Sequence, residues 1–450
     1  MDNRLYWSRY NFLETIDGNH YLYNSYSNSI LQVDDELFNT LSKIKNREWS
    51  IGHNTPNNIT SDIIEELKNR YILVNNDDLL VDVMQHQSLT RLYSKSHMTL
   101  TIAPTQSCNF SCVYCFEKWR KSKPLSSSTA DSIVEYLAML HKNEGLKTMD
   151  LTWYGGEPLL QMEVIKTLGK RITELGLIIT THLLITNGYN FTLQNIADLQ
   201  KLGITDVQIT IDGCKTQHDK SRPLLNGKGT FDKIINNLDE YFNSQYRDCF
   251  DISIRVNIDK DNYMDFIALH HWLTSRYSSN RLYVYPGIIV LDEQNENRHK
   301  CLNRNEVTNF YLSLYNDHGI ICEELFPENI NMECMARSPY MNLLIGPNGD
   351  IYKCYEDLGN SNLIVGNINN KSIISEDPLV AQYAAGINHY NDPICRKCSY
   401  LPICNGGCPI RRFENKYKGA HNDCCTPFKG RIRDYIKLFL QTIQKQNVSY

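Results

Sequence analysis

Between residues 97 and 290, six short apolar runs alternate with helical stretches, and no other feature of the 450-residue chain limits its fold so tightly. The runs read MTLTIAP, DLTWYGG, HLLITNG, DVQITIDG, DISIRVNID and LYVYPGIIV. Between them lie segments such as SSSTADSIVEYLAML, LQNIADLQKLG and TFDKIINNLDEYF, whose apolar residues recur at helical spacing. Strands that alternate with helices predict a parallel sheet, because parallel neighbours need a crossover between them. Polar or Gly-rich residues stand at the C-terminal ends of the runs: Cys108 after the first, Gly155 after the second, Asn187 after the third and Asp212 after the fourth. In parallel β/α barrels that edge carries the active site. Six strands are too few for an eightfold barrel, so the expected core is an α/β fold, a partial (β/α)6 barrel over residues 96–295.

The flanks read differently. In residues 1–95, NHYLYNSYSNSILQVD gives two strands around an Asn/Ser turn, DDELFNTLSKI and TSDIIEELKNRYIL give two helices, and ILVNNDDLLVDV gives a closing hairpin. Strand, strand, helix, helix, hairpin is a small winged-helix pattern. Residues 296–333 form a bridging region. Residues 334–430 are loop-rich and cysteine-rich, and residues 431–450 close the chain with an amphipathic helix expected to pack on the rest.

Fifteen cysteines are the anomaly of composition. The first residues, MDNRLYWSRYNFLE, lack an apolar signal region, no apolar run is long enough to span a membrane, and a cytoplasmic protein is expected. Disulfides are rare in that compartment, so clustered thiols point to metal or to chemistry. Net charge is −5 and pI about 6.2, which argues against nucleic acid as a partner. Eleven cysteines fall in two groups, and Cys214, Cys249, Cys301 and Cys322 are scattered.

The first group is CNFSCVYCFEKW, with Cys108, Cys112 and Cys115 separated by three residues and then two. Four-iron clusters are usually held by four thiolates. Three thiols leave one iron open to another molecule, by the logic that keeps a position open on catalytic zinc. This spacing, with Tyr114 before the third cysteine, resembles the signature of the radical S-adenosylmethionine (SAM) superfamily. The resemblance implies a [4Fe–4S] cluster on Cys108, Cys112 and Cys115. Its open iron would bind SAM, whose cleavage yields a 5′-deoxyadenosyl radical that abstracts hydrogen from substrate.

The following motifs match the same family. Gly155-Gly156-Glu157-Pro158 in WYGGEP resembles the turn that holds the SAM amino group, with Glu157 as a carboxylate acceptor for the ammonium. Asn187 in LLITNG, and Thr210 and Asp212 in ITIDG, occupy further family positions, with Thr210 where a serine hydroxyl is frequent. Arg222 in HDKSRPLLNGKGTF matches the arginine that reaches the SAM carboxylate, and Tyr114 is placed at the adenine side. Ordinary turn chemistry is the competing explanation for Asn187, Asp212 and His218.

The second group runs Cys334, Cys354, Cys395-x2-Cys398-x5-Cys404-x3-Cys408 and Cys424-Cys425. A zinc ribbon would also use paired cysteines. The layout resembles the SPASM domain, which holds two auxiliary [4Fe–4S] clusters, for three clusters in all. The resemblance assigns Cys334, Cys354 and Cys408 to the first, with either Cys322 or an open iron completing it. It assigns Cys395, Cys398, Cys404 and Cys425 to the second, with Cys424 as the rival of Cys425.

SPASM enzymes act mostly on peptides or proteins, and two branches compete. Sulfatase maturation uses an Asp directly after the cysteine matched by Cys354; this chain has Tyr355 there, with Glu356 and Asp357 following as further catalytic candidates. Maturases of ribosomally made precursor peptides often carry a winged-helix recognition element, which residues 1–95 resemble and which binds the leader as an added strand. The expected function is therefore a precursor-peptide maturase that forms a thioether or carbon–carbon cross-link, supplied with electrons by a donor such as flavodoxin or ferredoxin. Sulfatase maturation, peptide epimerisation, and a non-catalytic iron–sulfur or peptide-binding protein are the alternatives.

Overall fold

The computed structural model describes residues 4–45, 49–50, 59–117, 123–290, 298–322, 326–330, 333–370 and 377–448. Packing divides the chain into two compact units that do not follow chain order. Met1–Arg91, Asn303–Glu333 and Ile387–Tyr450 make one; Leu92–Leu302 and Cys334–Gly386 make the other. Among the described residues no helix is long and apolar enough to cross a membrane.

In the first unit, β1 (Arg4–Trp7), β2 (Asn11–Ile16), β3 (Asn19–Asn24) and β4 (Ser29–Val33) precede α1 (Asp35–Ile44), β5 (Trp49–Ser50), α2 (Ser61–Asn69), β6 (Leu73–Val74) and α3 (Asp77–Leu92). Asp17 and Gly18 both take positive φ (50° and 84°), the two-residue turn that matches strand twist, and so join β2 to β3. Asp34 caps α1 by accepting from the Leu37 amide at 2.7 Å, and Thr60 caps α2 by accepting from Ile63 at 3.3 Å.

The expected hairpin at ILVNNDDLLVDV is not formed. Leu73 and Val74 pair with β1 instead, and the Asn-Asn-Asp-Asp stretch starts α3. The Asn76 side chain accepts from the Asp78 amide at 2.8 Å, and Asp77 and Asp78 sit at the positive end of the helix. The same residues that signal a turn therefore serve as a helix start. β2-β3-β4 form one sheet and β5-β1-β6 another. Leu5, Leu22, Leu41, Leu67 and Ile72 are buried in a shared core. Ile16, Tyr21 and Tyr23 on the N-terminal sheet pack with Ile403, Ile432 and Ile436 from the C-terminal part of this unit. The last helix, Ile432–Val448, buries Ile432, Tyr435, Ile436 and Leu438, which agrees with its amphipathic sequence.

The second unit contains the expected parallel strands: β7 (His97–Ile102), β8 (Thr148–Trp153), β9 (Ile178–Thr186), β10 (Asp206–Thr210), β11 (Asp251–Ile258) and β12 (Leu282–Ile288). They lie side by side in chain order, each parallel to the next. Helices α4 (Ser127–Met139), α5 (Met162–Thr173), α6 (Leu193–Lys201), α7 (Lys215–Ser221), α8 (Phe231–Phe242) and α9 (Asp265–Tyr277) fall in the crossovers. β11 shows the alternation: Ile252, Ile254, Val256 and Ile258 are buried, and Ser253, Arg255 and Asn257 are half-exposed on the opposite face. Each such aliphatic side chain contributes about 1.5–3 kcal/mol on burial.

The sheet is longer than the sequence predicts. β13 (Asn342–Ile345) joins parallel to β7, and β14 (Asp350–Tyr352) and β15 (Gly366–Asn367) follow antiparallel, giving nine strands. This extension brings Cys354, at the end of β14, into the unit that holds the first three cysteines.

Candidate active site

The C-terminal ends of the parallel strands form one polar edge. After β7 the chain runs through Thr105–Ser107 to Cys108, and the Gly155-Gly156 turn after β8 lies directly against it. Gly156 N–H donates to the Thr105 carbonyl at 3.1 Å and Glu157 N–H to Ser107 at 3.0 Å. A Cβ on Gly155 would stand 2.3 Å from the Thr105 oxygen, and one on Gly156 would stand 2.4 Å from both the Gln106 and Ser107 oxygens. Gly155 also takes φ of 117°, a conformation closed to most side chains. The two glycines are thus required by the loop that leads into the cysteines.

Glu157 is fully buried. Its carboxylate accepts from the Asn187 amide (2.7 Å), the Thr186 hydroxyl (2.7 Å) and the Leu159 amide (3.0 Å). Burial pushes its pKa up, and these three donors oppose the shift. A carboxylate offers about four acceptor positions, so Glu157 is a brace between the ends of β8 and β9 before it is anything else. Pro158 starts the short helix Pro158–Gln161 that Glu157 caps. The Asn187 side chain donates to Asn109 Oδ1 at 2.8 Å and lies 3.9 Å from Cys108 Sγ, tying the third strand end to the cysteine loop. Its Oδ1 accepts from the Tyr189 amide at 3.0 Å, so the turn chemistry expected of an Asn is present as well.

A second cluster of side chains centres on the Tyr114 phenol. It donates to Asp212 through a very short contact, and accepts from Arg222 Nη1 at 2.6 Å and Asn257 Nδ2 at 3.0 Å. Asp212, fully buried, also accepts from the Asn257 amide at 3.0 Å and lies 3.9 Å from Arg222. Burial pushes the Asp212 pKa up, opposed by the Arg222 charge and the Tyr114 hydrogen bond. The amides of Ser111 and Val113 donate to the Pro223 and Ser221 carbonyls (2.8 and 3.0 Å), which sets Arg222 beside the cysteine loop and over the Phe110 ring at 5.7 Å. His218 fixes the other side. Its Nδ1 accepts from the Asp212 amide (3.1 Å), so Nε2 carries the proton and donates to Thr230 (3.0 Å), whose hydroxyl donates to the Arg222 carbonyl (2.7 Å). Thr210 ends β10 opposite Arg255, nearly buried at 8% exposure.

In the same unit, Cys354 is followed by Tyr355, whose hydroxyl lies 3.2 Å from Thr101 on β7 and whose ring meets Tyr154 edge-on at 4.7 Å. Tyr154 hydrogen-bonds Glu117, two residues past Cys115. Of the three catalytic candidates, Tyr355 points to the strands, Glu356 is exposed, and Asp357 is buried beside Lys353 and Cys354. Lys353 is fully buried and its amine donates to the Ser338 and Asn342 carbonyls; burial pushes it down to about 7. Cys334 caps a 3-10 turn, Met335–Arg337, whose Ala336 and Arg337 are buried.

In the other unit, Cys404 accepts from the Thr426 amide. Cys395 accepts from Arg412 at 3.5 Å, and Cys425 from Lys429 at 3.2 Å. Cys322 also belongs to this unit and is fully buried.

The radical SAM superfamily model matches residues 102–273, and the SPASM model, an iron–sulfur cluster-binding domain, matches residues 334–399. The chain carries a radical SAM domain and a SPASM domain. Among curated relatives, the radical SAM cyclopropyl synthase TigE of Paramaledivibacter caminithermalis is 21% identical over 95% of this chain and 94% of its own. Native anSMEcpe with bound AdoMet and the Cp18Cys peptide aligns with TM-score 0.61 and 18% identity, covering 79% of this chain and all of that one. Streptococcus suis SuiB bound to its precursor peptide SuiA aligns with TM-score 0.51 and 16% identity over 94% and 98%. At these identities the structural likeness speaks for the fold.

The radical SAM residues fit the groups the family implies. Arg222 Nε is a buried donor with no hydrogen-bond partner, at the centre of the cluster described above, and a guanidinium suits a carboxylate such as that of SAM. Cys108 Sγ accepts from the Phe110 amide at 3.4 Å and has the Asn187 amide group close by, the N–H donors a cluster thiolate takes. Among the described residues no three His, Cys, Asp or Glu side chains converge on a point that one metal ion could occupy. Ligands of a four-iron cluster surround a body several atoms wide and need no such point.

Sequence reasoning missed Asn257, Thr186, Asn109 and Thr230. Asn257 was within reach: it lies near the C-terminal end of the fifth run, and the rule applied to the first four strands would have found it. The contacts of Thr186 and Thr230 depend on chain crossings that carry no local pattern.

Proposed function

We propose that this radical SAM/SPASM protein modifies a ribosomally made precursor peptide, removing hydrogen and closing a carbon–sulfur or carbon–carbon bond. The observation that carries the reading is Tyr355. The position after Cys354, an Asp in sulfatase maturation, holds a phenol set among Thr101 and Tyr154, and the nearest carboxylates are an exposed Glu356 and a buried Asp357. The solved relatives bound to the Cp18Cys peptide and to precursor peptide SuiA support a peptide as substrate.

When bound, the first cluster and SAM supply hydrogen-atom abstraction. The chain's own residues position them. Cys108, Cys112 and Cys115 hold the cluster. Arg222, fixed by Tyr114 and Phe110, takes the SAM carboxylate. Gly155, Gly156, Glu157, Pro158, Asn187, Thr210 and Asp212 shape the rest of the pocket. The second cysteine group would hold auxiliary clusters, which would supply a place for the surplus electron, and a flavodoxin- or ferredoxin-type protein would serve as the electron donor. Residues 1–95 bind the leader, and β4, an edge strand with half-exposed Ser29, Ile30 and Leu31, is the place where a strand can add.

A second reading, ring closure within one side chain, is favoured by the match to a cyclopropyl synthase over nearly the full length of both chains. Both readings predict loss of two hydrogens. Co-expression with a precursor peptide drawn from short reading frames beside the gene, followed by mass spectrometry and fragmentation, separates them: a cross-link ties two residues, and a ring changes one. An unchanged mass overturns both and turns attention to epimerisation. Release of 5′-deoxyadenosine after anaerobic reduction, abolished in Cys112→Ala, tests the chemistry independently of the peptide.

A further inference from the structure

Strands β10, β11 and β12 lie in register and carry matched rows of side chains on the face opposite the buried aliphatic one. Gln208, Ser253 and Tyr283 stand side by side, then Thr210, Arg255 and Tyr285, then Asn257 and Gly287 nearest the C-terminal edge. Val207, Ile209, Ile252 and Ile254 alternate with them and are buried. This polar face runs into the Tyr114 cluster, because Asn257 Nδ2 donates to the Tyr114 phenol at 3.0 Å.

Arg255 is half-buried on this face and reaches past its own register partner toward the C-terminal edge. Its Nε donates to Asn257 Oδ1 at 2.8 Å. Its guanidinium lies on Gly287: a Cβ there would stand 2.6 Å from Nε and 2.8 Å from both the guanidinium carbon and Nη2. Gly287 has no left-handed φ, so the backbone does not call for glycine, and the space is taken by the arginine. Among the described residues, Nη1 and Nη2 meet no acceptor and no carboxylate pairs with Arg255. A guanidinium has five N–H donors, and the Nε–H is the one matched here. Gln208 adds to the surplus. Its Oε1 accepts from the Tyr285 hydroxyl at 2.7 Å, and its amide N–H donors are unmatched among the described residues. The Tyr283 and Tyr285 rings stack at 5.5 Å on the β12 side.

A face whose spare groups are a guanidinium edge and amide donors suits a carboxylate, which takes the arginine fork as a bidentate pair. Asp212 does not fill that place, since it is fully buried and engaged by Tyr114 and the Asn257 amide. We infer that Arg255 is a specificity-determining residue that binds a carboxylate of the precursor peptide, selecting an acidic side chain or a chain end beside the residue attacked. The inference rests on the peptide-maturase reading and adds the chemistry that the substrate must present.

The test uses the full-length reconstituted enzyme with the precursor peptide that it converts in co-expression, followed by anaerobic steady-state kinetics. Arg255→Gln should raise the KM of the peptide at least about tenfold, with the Kd of SAM that of the parent. Peptide carboxylates are then replaced one at a time: each Asp by Asn, each Glu by Gln, and the C-terminus by its amide. One replacement should raise KM by a similar factor in the parent and have no further effect in Arg255→Gln. That replacement distinguishes a side-chain carboxylate from the chain end. Should Arg255→Gln fail to accumulate, Arg255→Lys is read in its place: it keeps the charge but loses the fork, and the same coupling to one carboxylate is expected. The inference is overturned if KM is unchanged, if no peptide carboxylate is coupled to Arg255, or if the Kd of SAM rises by the same factor, which would make Arg255 part of the SAM pocket. In each of these cases the parent still converts its peptide and the maturase reading stands. A parent that converts no peptide overturns that reading and this inference with it.

Discussion

The carboxylate of Glu157 accepts a hydrogen bond from the backbone amide of Asn187 at 2.7 Å, with both residues buried. The contact joins the ends of two neighbouring strands and, through Asn187 and Asn109, reaches the cysteine loop. Glu157 is therefore part of the frame. Glu157→Ala strands two amides and a hydroxyl at about 1–3 kcal/mol each, so a loss of at least about 3 kcal/mol is expected in denaturant unfolding. Glu157→Gln should lose less. A variant as stable as the parent that has lost SAM binding would reverse the assignment and make Glu157 a ligand contact.

Tyr114→Phe removes the hydroxyl shared by Asp212, Arg222 and Asn257. Loss of a hydrogen bond to charged partners costs about 1.5–3 kcal/mol, so SAM affinity of the reconstituted enzyme should fall by at least about tenfold. Equilibrium binding of SAM under anaerobic conditions measures it, and an unchanged Kd would remove Tyr114 from the pocket.

Gly156→Ala forces a methyl group to within 2.4 Å of two carbonyl oxygens in the loop before Cys108. Backbone atoms cannot give way as a flexible side chain can, so the cysteine loop must move. Iron bound at the first cluster is expected to drop well below that of the parent. Gly145→Ala is the control: it has positive φ but no atom within 4 Å, and should cost about 1 kcal/mol in stability with iron content intact.

His182 is buried, accepts a hydrogen bond from Trp153 Nε1 at 3.0 Å, and is held down to about 4 by burial. His218 is held well below 6.5 and His270 down to about 4, both chiefly by burial. Between about pH 6.5 and 4 these rings are protonated in the unfolded chain and neutral in the folded one, so the unfolded state binds more protons and stability falls as pH falls. For His182 the slope approaches about 1.4 kcal/mol per pH unit. His182→Gln, which keeps an acceptor for Trp153, should flatten the fall in urea unfolding measured from pH 7 to 5. An unchanged slope would mean that His182 already carries a proton in the folded protein.

The site was legible where a strand end fixed it. Cys108, Gly155, Asn187 and Asp212 follow four successive parallel strands, and a parallel sheet must gather such ends on one edge. What escaped depends on partners far away in the chain. β13 adds beside β7, and no pattern in residues 342–345 announces that neighbour. At Asn75–Asp78 the signal itself was ambiguous, since Asn and Asp serve turns and helix starts equally well.

The packing of Ile16, Tyr21 and Tyr23 against Ile403, Ile432 and Ile436 has a bearing on how the protein is made. A ribosome releases the N-terminal strands first and their covering helix last. For most of translation the outer face of that sheet has nothing to rest on, and its aromatic side chains remain open to chaperones or to a sister chain. The packing of the N-terminal sheet is thus completed only after the cysteine-rich segment has emerged.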